Sequence, residues 1–167
     1  GQIRNIPVSF LAGYTFINPV DLSGDTNNRT SFLKYRFQHN VKADVDVSYK
    51  KLSIGGSFEY FSKMVSIDPI FEEEIMIPVG SIRLPSGIYI FPGMKQYREQ
   101  KKGGDFYLDL RIAWQINANS KFSVVLKNAL NREYMIRPGD VQPPRNITNI
   151  VRQYFVEVEH LLDESYT

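Results

Sequence analysis

The feature that most limits the fold is a strict alternation of apolar and polar residues in two long stretches. From Tyr35 to Tyr49 the odd-numbered residues are apolar or aromatic except His39, and the even-numbered residues are polar. From Phe106 to Ile116 the even-numbered residues are apolar and most odd-numbered residues are polar. Successive side chains of a β-strand point to opposite faces, so both stretches predict strands with one apolar and one polar face.

Weaker alternation marks four more strands, so that about six are expected in all. The last of these segments, residues 146–155, alternates least. The predicted strands cover residues 7–17, 35–49, 52–64, 105–116, 120–130 and 146–155. We expect them to form one domain at residues 1–155, followed by an acidic tail at residues 156–167.

The two shortest connections predict a definite register for the hairpins they close. Facing residues must lie on the same side of a sheet, so a turn of known length fixes every cross-strand pair. Turns at residues 50–51 and 117–119 place apolar residues opposite apolar ones and opposite charges together, as cross-strand energetics favours. The predicted pairs are Val47 with Ile54, Lys42 with Glu59, Trp114 with Phe122, and Asp109 with Lys127.

The connections alternate between long and short along the chain. The long ones cover residues 17–34, 65–104 and 131–145, and the tight turns lie between them. Every tight turn therefore falls at one end of the sheet. Outer-membrane barrels have short periplasmic turns and long external loops, so the pattern favours an antiparallel up-and-down transmembrane β-barrel that crosses the outer membrane several times.

A barrel in lipid assigns a role to each face of its strands. The apolar face meets the hydrocarbon and is bordered by aromatic residues, and the polar face lines the lumen. The predicted lipid-facing girdle consists of Tyr14, Phe16, Tyr49, Tyr60, Phe106, Trp114 and Phe122. The predicted lumen-facing residues are Lys42, Asp44, Glu59, Asp109, Arg111 and Lys127.

A soluble protein would produce the same alternation with the faces reversed. In a lipocalin-like barrel the apolar face points inward and the charged face outward. The period of two alone does not distinguish a transmembrane barrel from a soluble one. Two functional classes therefore remain open: part of a membrane transporter, or a non-transporting module, either a small outer-membrane barrel or a soluble lipocalin-like binding barrel.

Composition argues against several other classes. The formal net charge of the 167 residues is +2 and the basic residues form no runs, which argues against a nucleic-acid partner. The chain has no cysteine, and His39 and His160 lie far apart, so we expect no metal site and no cofactor. No nucleophile, base and orienting group recur at catalytic spacing, so we expect no catalytic residue and no enzyme. The adjacent Glu72, Glu73 and Glu74 are interpreted as solvated loop charge.

One long stretch resembles a known family. In "GDFYLDLRIAWQINANSKFSVVLKNALNREYMIRPGDVQPPR" a D-L-R-x-x-W-Q strand, an N-x-x-N-x-E-Y segment and an R-P-G-D-x-Q-P-P-R loop follow one another. The order is similar to that before the final strand of TonB-dependent outer-membrane receptors of the Bacteroidota type. The resemblance extends over roughly Val8 to Phe155.

This resemblance implies a barrel of about 22 strands around an N-terminal plug, of which this chain supplies about six C-terminal strands. It implies a transporter that imports a scarce nutrient (a siderophore, vitamin, oligosaccharide or peptide) and leaves substrate and ligand-binding residues unassigned. The implied partners are outer-membrane lipid, the plug and remaining strands in the same or a separate chain, the TonB complex through the plug, and a surface lipoprotein lid. Unpaired strand edges are not stable in hydrocarbon, so the chain is either a fragment or one part of a split transporter.

Overall fold

A computed structural model describes residues 1–23, 30–79 and 81–153 of the chain. The acidic tail predicted at residues 156–167 lies outside this part. In chain order the strands are β1 (Gln2–Ile3), β2 (Ile6–Phe16), β3 (His39–Tyr49), β4 (Leu52–Phe61), β5 (Glu74–Val79), β6 (Ile82–Tyr89), β7 (Asp105–Asn117), β8 (Ser120–Lys127), β9 (Met135–Arg137), β10 (Asp140–Val141) and β11 (Asn146–Gln153). A short 3-10 helix (Pro69–Phe71) precedes β5, and the helix α1 (Met94–Gln100) precedes β7.

Seven of the strands form one antiparallel sheet in up-and-down order. Its seven strands follow the sequence β1-β2-β3-β4-β7-β8-β11, and the pairs β5-β6 and β9-β10 are separate hairpins inside the long connections. In the described part of the chain the outer strands of the sheet are not paired with each other, so the sheet is open and no closed barrel is formed. The architecture is that of an open, up-and-down antiparallel sheet.

The predicted registers hold over most of both hairpins. The predicted pairs Val47–Ile54, Lys42–Glu59 and Trp114–Phe122 are confirmed. The predicted pairing of Asp109 with Lys127 is wrong, because the β7–β8 ladder stops at Leu110–Leu126. Just beyond it Asn128 adopts a φ of 48°, and its backbone N–H donates to Asp109 at 2.8 Å.

Three strands are shorter than their alternation predicts, because the backbone leaves the extended conformation. β3 begins at His39 rather than at Tyr35, which has a φ of 63°. β8 ends at Lys127 rather than at residue 130, since Asn128 already has a positive φ. β4 ends at Phe61, and beyond it only an isolated bridge joins Phe37 to Met64.

The buried core lies among the long connections and not on the apolar face of the sheet. Met64, Ile67 and Met94 form its centre. The half-buried residues packed around them are Tyr35, Phe37, Phe71, Phe91, Tyr97 and Met135. On the apolar face, by contrast, Phe10 is 71% and Ile112 53% exposed. In the described residues no helix is long and apolar enough to cross a membrane.

Candidate functional site

An arginine on the polar face joins strands that are not neighbours. Arg111 on β7 donates from Nη1 and Nη2 to Asp44, at 3.0 and 2.6 Å, and from Nε and Nη2 to Asp46, at 3.1 and 2.5 Å. Both carboxylates are on β3, and β4 lies between β3 and β7. Ser57 on β4 accepts from Nη1 at 2.6 Å and donates to Asp44 at 2.5 Å. Each carboxylate is held by two donors of one planar guanidinium, the geometry that makes such pairs strong and specific.

Gly55 leaves the space through which this arginine passes. A Cβ atom at that position would overlap Oδ1 of Asp46 and lie 2.8 Å from Nε of Arg111. It would also lie 2.9 Å from the backbone oxygen of Val45. The contact between Arg111 on β7 and Asp46 on β3 therefore requires a glycine at position 55 of β4.

A second group of polar side chains surrounds Glu59. Its carboxylate accepts from Nδ2 of Asn40 at 3.0 Å and from the hydroxyl of Tyr107 at 2.6 Å. Lys42, its facing residue across the ladder, approaches to 3.1 Å. Lys42, Glu59 and Tyr107 line an open cleft of about 500 Å³ on the polar face, together with Asp44 and Ser57.

The connection at residues 131–145 folds back over this face. The ring of Tyr134 stacks on Tyr107 at a centroid distance of 4.9 Å and an interplanar angle of 14°. It also packs against Phe61 at 5.8 Å, and Tyr134 is buried. In the same connection, the backbone N–H of Met135 donates a hydrogen bond to the hydroxyl of Tyr97 at 3.0 Å. The polar face is thus covered at its long-connection end and open elsewhere.

Two buried polar residues order the start of this connection. Asp105, 2% exposed, pairs with Lys101 and with Nη2 of Arg132 at 2.8 Å. Nδ2 of the buried Asn128 donates to the carbonyls of Arg132 and Pro143, and Oδ1 of Asn128 accepts from the N–H of Arg132. Neither residue is marked by the sequence pattern, because a lone Asn or Asp in an apolar-polar alternation gives no signal of such bonding.

Burial shifts the ionisation of groups in these connections. It raises the pKa of Tyr134 and of Tyr97, since a phenolate would be poorly solvated there and carboxylates lie nearby. It lowers the pKa of Lys63, and the positive charge of Arg98 adds to the effect. Neutral phenols therefore persist in the loop cluster at alkaline pH.

The predicted lumen residues fall on one face but in separate groups. The pairs Lys42–Glu59 and Asp44–Arg111 are in contact. Asp109 accepts from the backbone of Asn128, and Lys127 faces Asn146 on β11. Within the described chain no three His, Cys, Asp or Glu side chains converge in a way that could hold a metal. Of the glutamates in the long connection, Glu72 pairs with Arg98 at 2.7 Å.

The predicted girdle residues form two rows on the apolar face. One row runs across the sheet at the tight-turn end and the other at the long-connection end, with aliphatic residues between them. Tyr60 and Leu52 mark the two rows on β4 and are separated by about 27 Å of extended strand. The tight-turn row contains Tyr49, Trp114 and Phe122, and the other contains Tyr14, Tyr60 and Phe106, with Phe16 one pair further out.

Comparison with known proteins shows a likeness of fold. No family model and no curated protein matches the sequence. Among solved structures, the ferric-catecholate import receptor Fiu from E. coli K12, in its closed form, matches with a TM-score of 0.54 and 17% identity. The match covers 89% of this chain and 19% of that receptor, so the chain spans about a fifth of its length. The sheet described above therefore has the fold of a segment of an import receptor.

Proposed function

We propose that the chain is a segment of the barrel wall of a TonB-dependent outer-membrane transporter of the Bacteroidota type. In this role the apolar face lies in lipid and the polar face lines the lumen beside the plug. The chain carries no catalysis and needs no cofactor. The cargo is a scarce nutrient, and the other segments of the transporter contribute to its recognition.

The observation that carries the proposal is the exposure of the apolar face. The buried hydrophobic residues of the described chain are Phe61, Met64, Ile67, Met94 and Tyr134. Phe61 and Tyr134 are on the polar side of the sheet and the other three are in the connections. A face lined with Val, Ile, Leu and Phe is thus left without a protein neighbour, as the hydrocarbon-facing side of a barrel would be.

The same observation argues against a soluble lipocalin-like barrel. In that fold the apolar side chains close the interior, and the charged residues face water. Here the loop cluster is folded onto the charged face, where Tyr134 covers Tyr107. A chain that exposes its aliphatic side to water would aggregate.

The edges of the sheet support membership of a larger barrel. In the described chain β2 pairs with β3 and, over two residues only, with β1, and β11 pairs only with β8. Each free edge carries a row of backbone donors and acceptors, and such groups in hydrocarbon cost several kcal/mol each, on the order of 4–8 in a purely apolar phase. We therefore expect strands of the same receptor, or of a second chain, to flank both edges.

The orientation is tested by spin labels in the full receptor in outer-membrane vesicles. Ile112→Cys places a label on the apolar face and Ala113→Cys places one on the polar face of the same strand. The label at Ile112 should be relaxed by oxygen, which partitions into lipid, and the label at Ala113 by a water-soluble nickel chelate. The reverse order of accessibilities would contradict the proposal.

The class of barrel is tested separately by the complete reading frame. A transporter requires a plug domain and a TonB-contacting segment upstream of the barrel. A frame that encodes a short barrel of about eight strands and no plug would identify the small outer-membrane barrel instead.

A further inference from the structure

A small cavity lies where two of the long connections meet. Its lining residues come mainly from the segment that follows β4, from α1 with the turn after it, and from β9. Most of its lining is apolar and includes Met64, Met94 and Met135. The cavity has a volume of about 40 Å³, which is room for about three water-sized groups at about 10–15 Å³ each. It therefore admits a molecule of only a few non-hydrogen atoms.

The wall of this cavity carries more positive than negative charge. Among the described residues, its charged members are the cations Lys63, Arg98, Lys101 and Arg137 and one carboxylate, that of Asp105. Asp105 is already shared between Lys101 and Arg132. In the described part of the chain neither Lys63 nor Arg137 has a carboxylate within ion-pair distance. Two positive charges at the cavity are thus left without a paired counter-ion.

Two of these cations are partly removed from water without full compensation. Burial lowers the pKa of Lys63, and the positive charge of Arg98 adds to the effect. The Nε atom of Arg98 is buried and makes no hydrogen bond among the described residues, since Oε1 of Glu72, although 2.7 Å away, is not aligned with its N–H. Buried donors without a hydrogen bond are rare in native proteins, and a bound ion is one of the groups that satisfy them. Both cations therefore lie where an anion would stabilise them.

We propose that the cavity binds a small monocarboxylate, whose carboxylate pairs with Lys63 and the cations beside it and whose short apolar body contacts the methionines. A neutral or cationic molecule would leave Lys63 without a counter-ion. A doubly charged inorganic anion would place a second charge among apolar walls at a large desolvation cost. Methionine side chains adapt their shape to an apolar group, and a carboxylate forms strong charge-assisted hydrogen bonds with lysine and arginine. Because the cavity lies in the long connections, such binding requires no assignment of the sheet faces.

The test measures the affinity of the full-length protein in detergent for propionate by saturation-transfer NMR, which detects weakly bound small molecules. Propionamide has the same shape without the charge, and inorganic sulfate, measured by its displacement of propionate, has charge without an apolar body. Lys63→Met removes a cation of the wall and keeps most of the side-chain volume. Lys95→Met is the matched control, because Lys95 is an exposed residue of α1 that does not line the cavity. Arg137→Gln is a second variant of the wall at an exposed position, where folding does not depend on the side chain.

We expect propionate to bind saturably and at least about tenfold more tightly than propionamide, the effect of one charge-assisted hydrogen bond. Lys63→Met should weaken propionate binding by a similar factor, Arg137→Gln should weaken it in the same direction, and Lys95→Met should leave it within about twofold, as exposed charges contribute little. Equal binding of propionate and propionamide, or no saturable binding of propionate, would overturn the proposal. Sulfate that binds as tightly as propionate would overturn it in favour of an inorganic anion. Unchanged affinity in both wall variants would place the bound propionate outside this cavity; if Lys63→Met does not fold, Arg137→Gln and the comparison with propionamide decide.

Discussion

Arg111 on β7 holds Asp46 on β3 across the intervening strand β4, with Nη2 of the arginine 2.5 Å from Oδ2 of the aspartate. The contact depends on Gly55, the β4 residue beneath it. Three strands are thereby fixed relative to one another by a single side chain. In a barrel wall this fixes their stagger on the lumen side.

Gly55→Ala should weaken this part of the sheet by about 1–3 kcal/mol, because the added methyl group overlaps the carboxylate of Asp46 and displaces the guanidinium. The neighbouring Gly56→Ala is the matched control. Its Cβ would meet only ordinary contacts at 3.5 Å, to the backbone oxygen of Asp109 and to Leu110. The measurement is the free energy of unfolding of the full-length protein in detergent. Equal losses in the two variants would show that the Arg111 contacts contribute nothing.

Leu110→Arg should cost about 2–4 kcal/mol of folding free energy in a bilayer, as a basic residue does near the midplane on a lipid face. Leu110 lies midway along β7 between the predicted girdle residues Phe106 and Trp114. Ala113→Arg, on the polar face of the same strand, should cost much less because its side chain meets water. Folding titrations in lipid vesicles measure both. Equal costs would contradict the assigned faces.

The faces and hairpin registers could be predicted from the sequence because both follow from local rules. A period of two assigns each residue to a side, and a tight turn then sets every pair up to the next irregularity. The rule failed at Asp109 and Lys127, where the positive φ of Asn128 ends the ladder. Nothing in the alternation indicates where such a conformation begins.

The contacts of Gly55 could not be predicted because they depend on three strands at once. The β4–β7 register, which places Arg111 opposite Gly55, is set across a connection that covers residues 62–104. That connection also contains β5, β6 and α1, none of which the alternation pattern predicts. Its helix is too short to show a clear period, and the burial of Asp105 beside it depends on packing between distant segments.

Asn128→Ala should free the connection at residues 131–145 and cost about 2–4 kcal/mol. The change removes the donor and acceptor that hold the backbone of Arg132 and Pro143, and it leaves alanine in a left-handed conformation. Asn131→Ala is the control, since Asn131 also has a positive φ but is exposed and accepts one bond, from Arg145. Hydrogen exchange of residues 131–145 in the full-length protein measures the effect. Similar exchange rates in both variants would show that contacts other than those of Asn128 stabilise the loop.

Tyr134→Phe should make the loop cluster less sensitive to alkaline pH. Burial raises the pKa of Tyr134 above its ordinary value, so the folded state holds the phenol proton more tightly than the unfolded chain does. The stability from this group is therefore fully present below the unfolded pKa of about 10 and is lost as pH rises through the folded pKa. Phenylalanine keeps the stacking on Tyr107 and removes the titration. The pKa of Tyr97 is also raised and that of Lys63 is lowered, but both residues are present in the wild type and in the variant.

The measurement is denaturant unfolding of the full-length protein at about pH 8 and about pH 11, on either side of the ordinary tyrosine pKa. The difference in unfolding free energy between the wild type and Tyr134→Phe should be constant up to about pH 9, below that pKa. At higher pH it should move in favour of the variant, because only the wild type must ionise a buried phenol. Parallel curves over the whole range would mean that Tyr134 ionises as freely in the folded protein as in the unfolded chain, and that its ring is not held against Tyr107.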